Sequence, residues 1–148
     1  EEKCETFDDE IILVENIKKI FLLLLGKAFE KYGPEIEKNQ QVLLSLSDLA
    51  IEAYLSESTL KRTIKNINRG LIEDQFDQIN MTKLYIYEAC QIVLKKSSDV
   101  VNSIIDLKSQ DEIYSSITSK LKYSENPNVF ELKTKIAEKI ISENRYCF

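Results

Sequence analysis

The chain has 148 residues, of which 43% are hydrophobic and 30% are charged, with only 3 glycines and 2 prolines. This composition is typical of one folded, strongly helical domain and excludes a disordered or all-β chain. The net charge of −5 argues against a nucleic-acid partner, and the absence of histidine excludes histidine-based catalysis and histidine metal ligands.

A first amphipathic helix is predicted from Asp8 to Tyr32. Asp8 or Asp9 can cap its start, and Gly33-Pro34 should end it, because glycine adopts the left-handed cap and proline cannot continue the hydrogen-bond ladder. Apolar residues recur every three or four positions, which places one face against the core. That face comprises Leu13, Ile17, Ile20, Leu24 and Ala28.

The first helix also contains the run IFLLLL, residues 20–25, which makes more than one side of the helix apolar. Leu22, Leu25 and Phe29 fall beside the core face and form a second apolar strip at spacings of three and four. Leu23 lies nearer the charged side and has no evident place in either strip.

A second long helix is predicted from about Glu35 to Arg69, with Gly70 as its stop. Its second apolar strip, displaced from the core face, contains Leu44, Ile51 and Leu55. Its core face comprises Leu43, Leu46, Ala50, Ala53, Leu60, Ile64 and Ile67.

The rest of the chain predicts a third long helix and two short ones. The third helix should run from near Gln75 or Asn80 to Asp106, with Cys90 on its apolar face. Ser109 with Glu112 reads as a capping box that opens a short helix, and Asn128 with Glu131 reads as a second one. The last helix should bury Val129, Leu132, Ile136 and Ile140.

No segment alternates with period two, so no strand is predicted. Three long helices with short turns and two shorter ones predict an all-α, up-down antiparallel bundle of four to five helices. We expect residues 1–148 to form a single domain.

Few residues suggest chemistry. Cys90 is interpreted as a small core residue rather than a nucleophile, and a bridge between Cys4 and Cys147 is left open. Glu57 and Lys61 are interpreted as an intrahelical salt bridge rather than a catalytic pair. Phosphate-binding glycine loops and the G-x-S-x-G elbow are absent from the sequence. No catalytic residue, metal ligand or cofactor-binding residue is therefore assigned.

The two additional apolar strips predict a surface that docks onto another domain or subunit, because contiguous exposed apolar patches are rare on monomers. Burial of both flanks by the chain's own C-terminal helices is the alternative. The predicted interface residues are Leu22, Leu25, Phe29, Leu44, Ile51 and Leu55.

Residues 43–63, LLSLSDLAIEAYLSESTLKRT, resemble the C-terminal helical extension of bacterial acyl-CoA dehydrogenases and, more distantly, of the very-long-chain enzyme. The shared positions are Asp48, Ile51-Glu52, Tyr54, Glu57-Ser58 and Arg62-Thr63. Residues 81–89, MTKLYIYEA, are similar to the start of the next helix of that extension, and residues 126–143 are similar to its closing helix.

The resemblance implies a C-terminal part of a larger flavoprotein that oxidises an acyl-CoA with FAD. The family's flavin site, acyl-CoA site and catalytic glutamate belong to preceding domains, and no residue here matches them, so this chain is expected to be non-catalytic and to bind no cofactor itself. The expected partners are its own dehydrogenase domains or a second subunit, including a homodimer.

A free-standing helical adaptor that binds a partner through its apolar surface is the alternative function. No transmembrane segment is predicted. The odd number of cysteines, three, and the lack of a C-x-x-C motif favour a reducing compartment, and the cytoplasm is the expected location. Membrane contact is not favoured, because the sequence shows an acidic balance and no evident basic amphipathic face.

Overall fold

The fold consists of five α-helices and one short 3₁₀ helix, described in a computed structural model that covers residues 7–70 and 75–144. No β-strand occurs in these ranges, so the predicted all-α class is confirmed. Cys4 and Cys147 lie outside the described residues. In chain order the elements are α1 (Asp8–Tyr32), the 3₁₀ helix (Gly33–Lys38), α2 (Gln40–Asn68), α3 (Gln75–Ile104), α4 (Leu107–Lys120) and α5 (Val129–Glu143).

The three long helices contact one another and form the central bundle. Their connections are too short for anything but antiparallel neighbours, so the predicted up-down arrangement is confirmed, with five helices. α4 packs on α3 and touches α1, whereas α5 contacts only α3 among the described elements. No described helix is long and apolar enough to span a membrane.

The core face of α1 is the predicted one, and all five of its residues are buried. The apolar run at residues 20–25 divides among three environments, because successive positions turn by about 100° around the helix. Ile20 and Leu24 are in the core, Phe21 and Leu25 are half-buried against it, and Leu22 and Leu23 are exposed.

The start of α1 differs from the prediction. Phe7 occupies the N-cap position and is fully buried, and no side chain caps the helix. Asp8 and Asp9 lie inside the first turn, where their charge still favours the positive end of the helix dipole. Asp9 accepts two hydrogen bonds from Ser124, at 3.0 Å from the backbone nitrogen and 2.8 Å from Oγ. The carboxylate is thus used in a tertiary contact instead of a cap.

The junction between α1 and α2 also differs, because residues 33–38 form a 3₁₀ helix. α1 ends at Gly33, as predicted, and Gly33 has a positive φ of 51°, a value that favours glycine. Its ψ of −132° lies outside the left-handed helical region, so the predicted left-handed cap is not formed. Pro34 lies in the first turn of the 3₁₀ helix. The Asn39 backbone is not helical, so α2 begins at Gln40 rather than Glu35. Ile36 is buried and attaches the 3₁₀ helix to the core.

At the α4 start, the predicted capping box of Ser109 and Glu112 is wrong. α4 begins at Leu107 with Asp106 at the N-cap in an extended conformation, and no side chain caps it. The Ser109 N–H donates to the Asp106 carbonyl at 2.9 Å, so Ser109 belongs to the first turn.

The α5 cap is confirmed. The Asn128 side chain accepts a hydrogen bond of 3.3 Å from the Glu131 backbone N–H. No residue of α5 is fully buried, however, and Ile140 is exposed although it was predicted to face the core. Lys133 pairs with Glu88 of α3 at 2.5 Å, so ionic contacts supplement the half-buried apolar ones.

Candidate docking surface

The outer face of α1 carries large apolar side chains that the bundle does not cover. Leu22 is 62% exposed and Phe29 is 53% exposed. These two residues share one side of α1, away from its buried face, since seven residues make almost two helical turns. Both were predicted to belong to an interface.

Leu25 is the predicted interface residue that the structure places differently. It is half-buried and packs against the core cluster. It lies about 100° around the helix from buried Leu24 and about 60° from buried Ala28, which places it at the border of the buried face. Leu25 therefore lies at the edge of the exposed face rather than on it.

The outer face of α2 is apolar along its N-terminal half. The three predicted residues are exposed, from 41% at Leu55 to 66% at Leu44, with Ile51 between them at 51%. Tyr54, which was not predicted, is 70% exposed on the adjoining flank. Exposed side chains of this size at spacings of three, four and seven make one continuous strip.

An ion pair joins α1 to α2 and shows which residues of the two helices lie at the same level. Lys18 Nζ of α1 is 3.2 Å from Glu57 Oε1 of α2. Four residues further along α1 comes Leu22, and four residues back along α2 comes Ala53, so Leu22 lies level with Ala53 and Tyr54. We use the name outer apolar surface for the exposed apolar residues of α1 and α2 taken together. It comprises Leu22, Phe29, Leu44, Ile51, Tyr54 and Leu55.

The C-terminal helices do not seal this surface. Among the described residues, α4 contacts α3 and α1, α5 contacts α3, and neither contacts α2. The contact between α4 and α1 includes a 2.8 Å bond from Asn16 Nδ2 to the Lys120 carbonyl. Asn16 lies well around α1 from Leu22. The alternative, in which the C-terminal helices bury both flanks, is therefore wrong for α4 and α5 as the structure describes them.

Glu57 is held by two lysines at the boundary between α1 and α2. Lys61 Nζ lies 2.6 Å from Glu57 Oε1, which confirms the predicted pair, and Lys18 was not foreseen. The hydrogen bond from Lys61, followed by that from Lys18, lowers the pKa of the Glu57 carboxyl. Glu57 stays ionised and acts as a bridge rather than a proton donor.

Cys90 is fully buried in α3, in agreement with its interpretation as a core residue. Burial, followed by the nearby charge of Glu10, raises the pKa of its thiol to about 12. A thiol with that pKa supplies almost no thiolate near neutral pH, so nucleophilic catalysis has no support there. No group of three or more acidic or cysteine side chains in the described residues could hold a metal ion.

Buried Glu10 is a feature that sequence reasoning missed. It is 3% exposed in the first turn of α1, and desolvation is the main cause that raises the pKa of its carboxyl. The Tyr123 hydroxyl and the Lys83 ammonium oppose that increase. The signal was present in the sequence, since Glu10 precedes Leu13, Val14 and Ile17 by three, four and seven positions on the buried face.

Grooves of about 500 to 680 Å³ lie on the surface of the described residues, and each is open to solvent. One of them lies between α2 and α3.

Comparisons with known proteins agree on one family. A family model described as "Acyl-CoA dehydrogenase, C-terminal domain" matches residues 16–118. A "Probable acyl-CoA dehydrogenase" of Bacillus subtilis (strain 168) is 26% identical over 141 residues, which is 94% of this chain and 23% of that protein.

A solved structure gives the same result. The crystal structure of an acyl-CoA dehydrogenase from Bacillus anthracis, complexed with FAD, superposes with a TM-score of 0.88 at 27% identity. The match covers 94% of this chain and 24% of the dehydrogenase chain. The chain thus spans about a quarter of the length of the relatives that it matches.

Proposed function

Because this chain belongs to the family of acyl-CoA dehydrogenase C-terminal domains, we propose that it is the non-catalytic, docking part of such an enzyme. Its parent would dehydrogenate an acyl-CoA with FAD bound in the preceding domains. The similarity to a dehydrogenase that is complexed with FAD supports the cofactor.

One observation supports the docking role above the others, namely the exposure of the outer apolar surface. Six large side chains on α1 and α2 are between 41% and 70% exposed. Covering each of them would contribute on the order of 1 kcal/mol to association. Five of the six predicted interface residues belong to this surface, and Leu25 lies at its edge.

We assign the occupant of this surface to the dehydrogenase part of the same polypeptide. The relatives are about four times as long as the matched region, which leaves a large catalytic part to be packed against.

We further propose that residues 1–148 form one structural unit and that the enzyme works in the cytoplasm. The odd cysteine count and the free, buried Cys90 support that compartment.

Cysteine footprinting tests the docking role. Ser47→Cys places a thiol on the exposed face of α2 between Leu44 and Ile51, and Ser115→Cys places a matched control on exposed α4. In the 148-residue chain both thiols should react with maleimide at similar rates. In the full parent polypeptide the thiol at position 47 should react at least ~10-fold more slowly, because labelling then requires the surfaces to separate.

Equal rates at position 47 in both proteins would refute the docking role. Protection that disappears on dilution would identify a second subunit as the occupant.

The catalytic assignment is checked separately by flavin absorbance and acyl-CoA oxidation. Both should be present in the parent and absent from the 148-residue chain, and turnover by the short chain would overturn the non-catalytic role. The adaptor alternative predicts a start codon directly before Glu1 instead of a dehydrogenase reading frame.

A further inference from the structure

The exposed face of α2 changes character along its length. Its N-terminal half is apolar, as described, and its C-terminal half is basic, with exposed Arg62, Lys65 and Arg69 at spacings of three and four. At about 100° per residue, these basic residues and the apolar residues Leu44, Ile51 and Leu55 lie within roughly 80° of one another. One helix face therefore presents an apolar segment followed by a cationic one. Sequence reasoning found no basic amphipathic face, and this short one corrects that statement.

The three basic side chains make no hydrogen bond or ion pair within the described part of the chain. Several lysines around them do, since Lys61, Lys18 and Lys96 all contact carboxylates. The negative end of the helix dipole accounts for cations in the last turn, where Lys65 lies. Arg62 lies before that turn, so the dipole does not account for it.

Arg62 lines a groove between α2 and α3 with a volume of about 680 Å³. The α2 wall continues from Leu55 through Ser58 and Thr59 to Arg62, and the α3 wall includes Gln78. Hydroxyl, amide and guanidinium groups therefore surround one end of the groove. No acidic residue is among those that line it.

The acidic residue that contacts the groove lining is engaged and lies outside the groove. Tyr85 lines the groove and donates its hydroxyl to Glu52 Oε2 at 3.2 Å, whereas Glu52 is not among the lining residues. Among the described residues, none of those that line the groove offers the guanidinium of Arg62 a carboxylate. The groove is suited to receive an acidic side chain from outside the described residues.

We propose that the dehydrogenase segment covering α2 is acidic at one end and apolar at the other. Its carboxylates meet Arg62 and Lys65, with one of them in the groove, while its apolar side chains cover Leu55 and Ile51. A guanidinium binds a carboxylate through two parallel hydrogen bonds, which fixes orientation as well as charge. The basic end thus sets the register of docking, and the apolar end supplies most of the affinity. This inference rests on the proposed function and specifies the partner's chemistry.

Zero-length carbodiimide cross-linking of the full parent polypeptide tests the inference, because it joins an amine only to a carboxylate in direct contact. Lys65 should be cross-linked to an Asp or Glu outside residues 1–148. Arg62→Lys should add a second cross-link to the same segment. Lys108, exposed on α4 and away from α2, is the matched control and should give none.

Charge reversal provides a second measurement on the same protein. In the Ser47→Cys parent, Arg62→Glu should raise the maleimide labelling rate by about 10-fold, as expected for the loss of a charge-assisted pair. Lys108→Glu should leave the rate unchanged. High salt should reduce the cross-links at Lys65 more than the protection of position 47, because ions screen charges and not apolar contacts.

The outcomes separate this inference from the proposed function. If position 47 is protected but neither Lys65 nor the amine introduced by Arg62→Lys gives an external cross-link, the acidic segment is refuted and docking stands. Cross-links only to carboxylates within residues 1–148 refute it equally.

Binding to anionic phosphatidylserine vesicles provides the last comparison. If Arg62→Glu abolishes vesicle binding while leaving the labelling rate unchanged, the basic end serves a membrane and the inference fails.

Discussion

Glu10 is a buried carboxylic acid whose favourable contacts do not offset the cost of burying its charge. Three groups face it besides its own helix backbone: Lys83 of α3 and the Tyr123 hydroxyl favour its charged form, and Asp9 disfavours it. Desolvation outweighs the favourable contacts, so the pKa of Glu10 is raised from its ordinary value of 4.5.

This increase predicts a pH dependence of stability. A carboxyl whose pKa is higher in the folded state favours folding below the unfolded pKa, and that contribution is lost as pH rises through the folded pKa. The glutamine side chain of the Glu10→Gln variant cannot ionise. The free energy of unfolding of this variant, relative to that of the wild type, should therefore increase from about pH 4 to about pH 7.5. Urea unfolding at the two pH values measures the difference. Glu112→Gln on exposed α4 is the control, and a wild-type advantage that grows with pH would contradict the prediction.

At the scale of helices, α2 and α3 are joined by a buried pair of hydroxyls. Thr63 Oγ1 and Thr82 Oγ1 are 2.8 Å apart, and both residues are buried. Two polar groups inside a helix interface are tolerated because each satisfies the other. The pair therefore favours one register of α2 against α3.

Removing one hydroxyl should cost more than removing both. Thr63→Val leaves the Thr82 hydroxyl buried without this partner and should lower the free energy of unfolding by about 1–3 kcal/mol. Thr63→Val/Thr82→Val should recover most of that loss, which the coupling energy in a urea double-mutant cycle would report. Thr118→Val on exposed α4 should change stability by less than about 0.5 kcal/mol. Additive losses would show that the two hydroxyls act independently.

Helix periodicity correctly predicted which side chains are buried and which are exposed along the regular helices. It failed at a helix end, where a single local contact decides the structure. The core face of α1 and the outer residues Leu22, Leu44 and Ile51 followed from spacing alone, because a rigid helix fixes their directions. The α4 start did not, since Asp106 turns the chain earlier than the capping motif suggested. The basic end of α2 was overlooked because Lys61, next to Arg62, is paired with Glu57, and sequence alone does not say which cations lack partners.

For the molecule as a whole, folding and association depend on different residues. Intrachain contacts among α1, α2 and α3 enclose the core, so the 148-residue chain should remain helical and unfold cooperatively without its parent. Its outer apolar surface should then cause weak self-association.

Sedimentation velocity across the accessible concentration range measures this self-association. Leu22→Lys/Ile51→Lys should yield a monomer with nearly wild-type stability, because both side chains are already exposed. Ile17→Lys, which places a charge in the core, should unfold the chain instead. A wild-type chain that stays monomeric throughout would show that the outer surface is not adhesive.

The helices that share the largest contacts, α1 with α2 and α2 with α3, are also consecutive along the chain. Such a low contact order keeps the entropy lost on loop closure small, and helical bundles of this kind fold within microseconds to milliseconds. Both helices that carry the outer apolar surface belong to this group of consecutive helices. We therefore expect the surface to be complete as soon as the bundle has folded, before the chain docks onto the catalytic part.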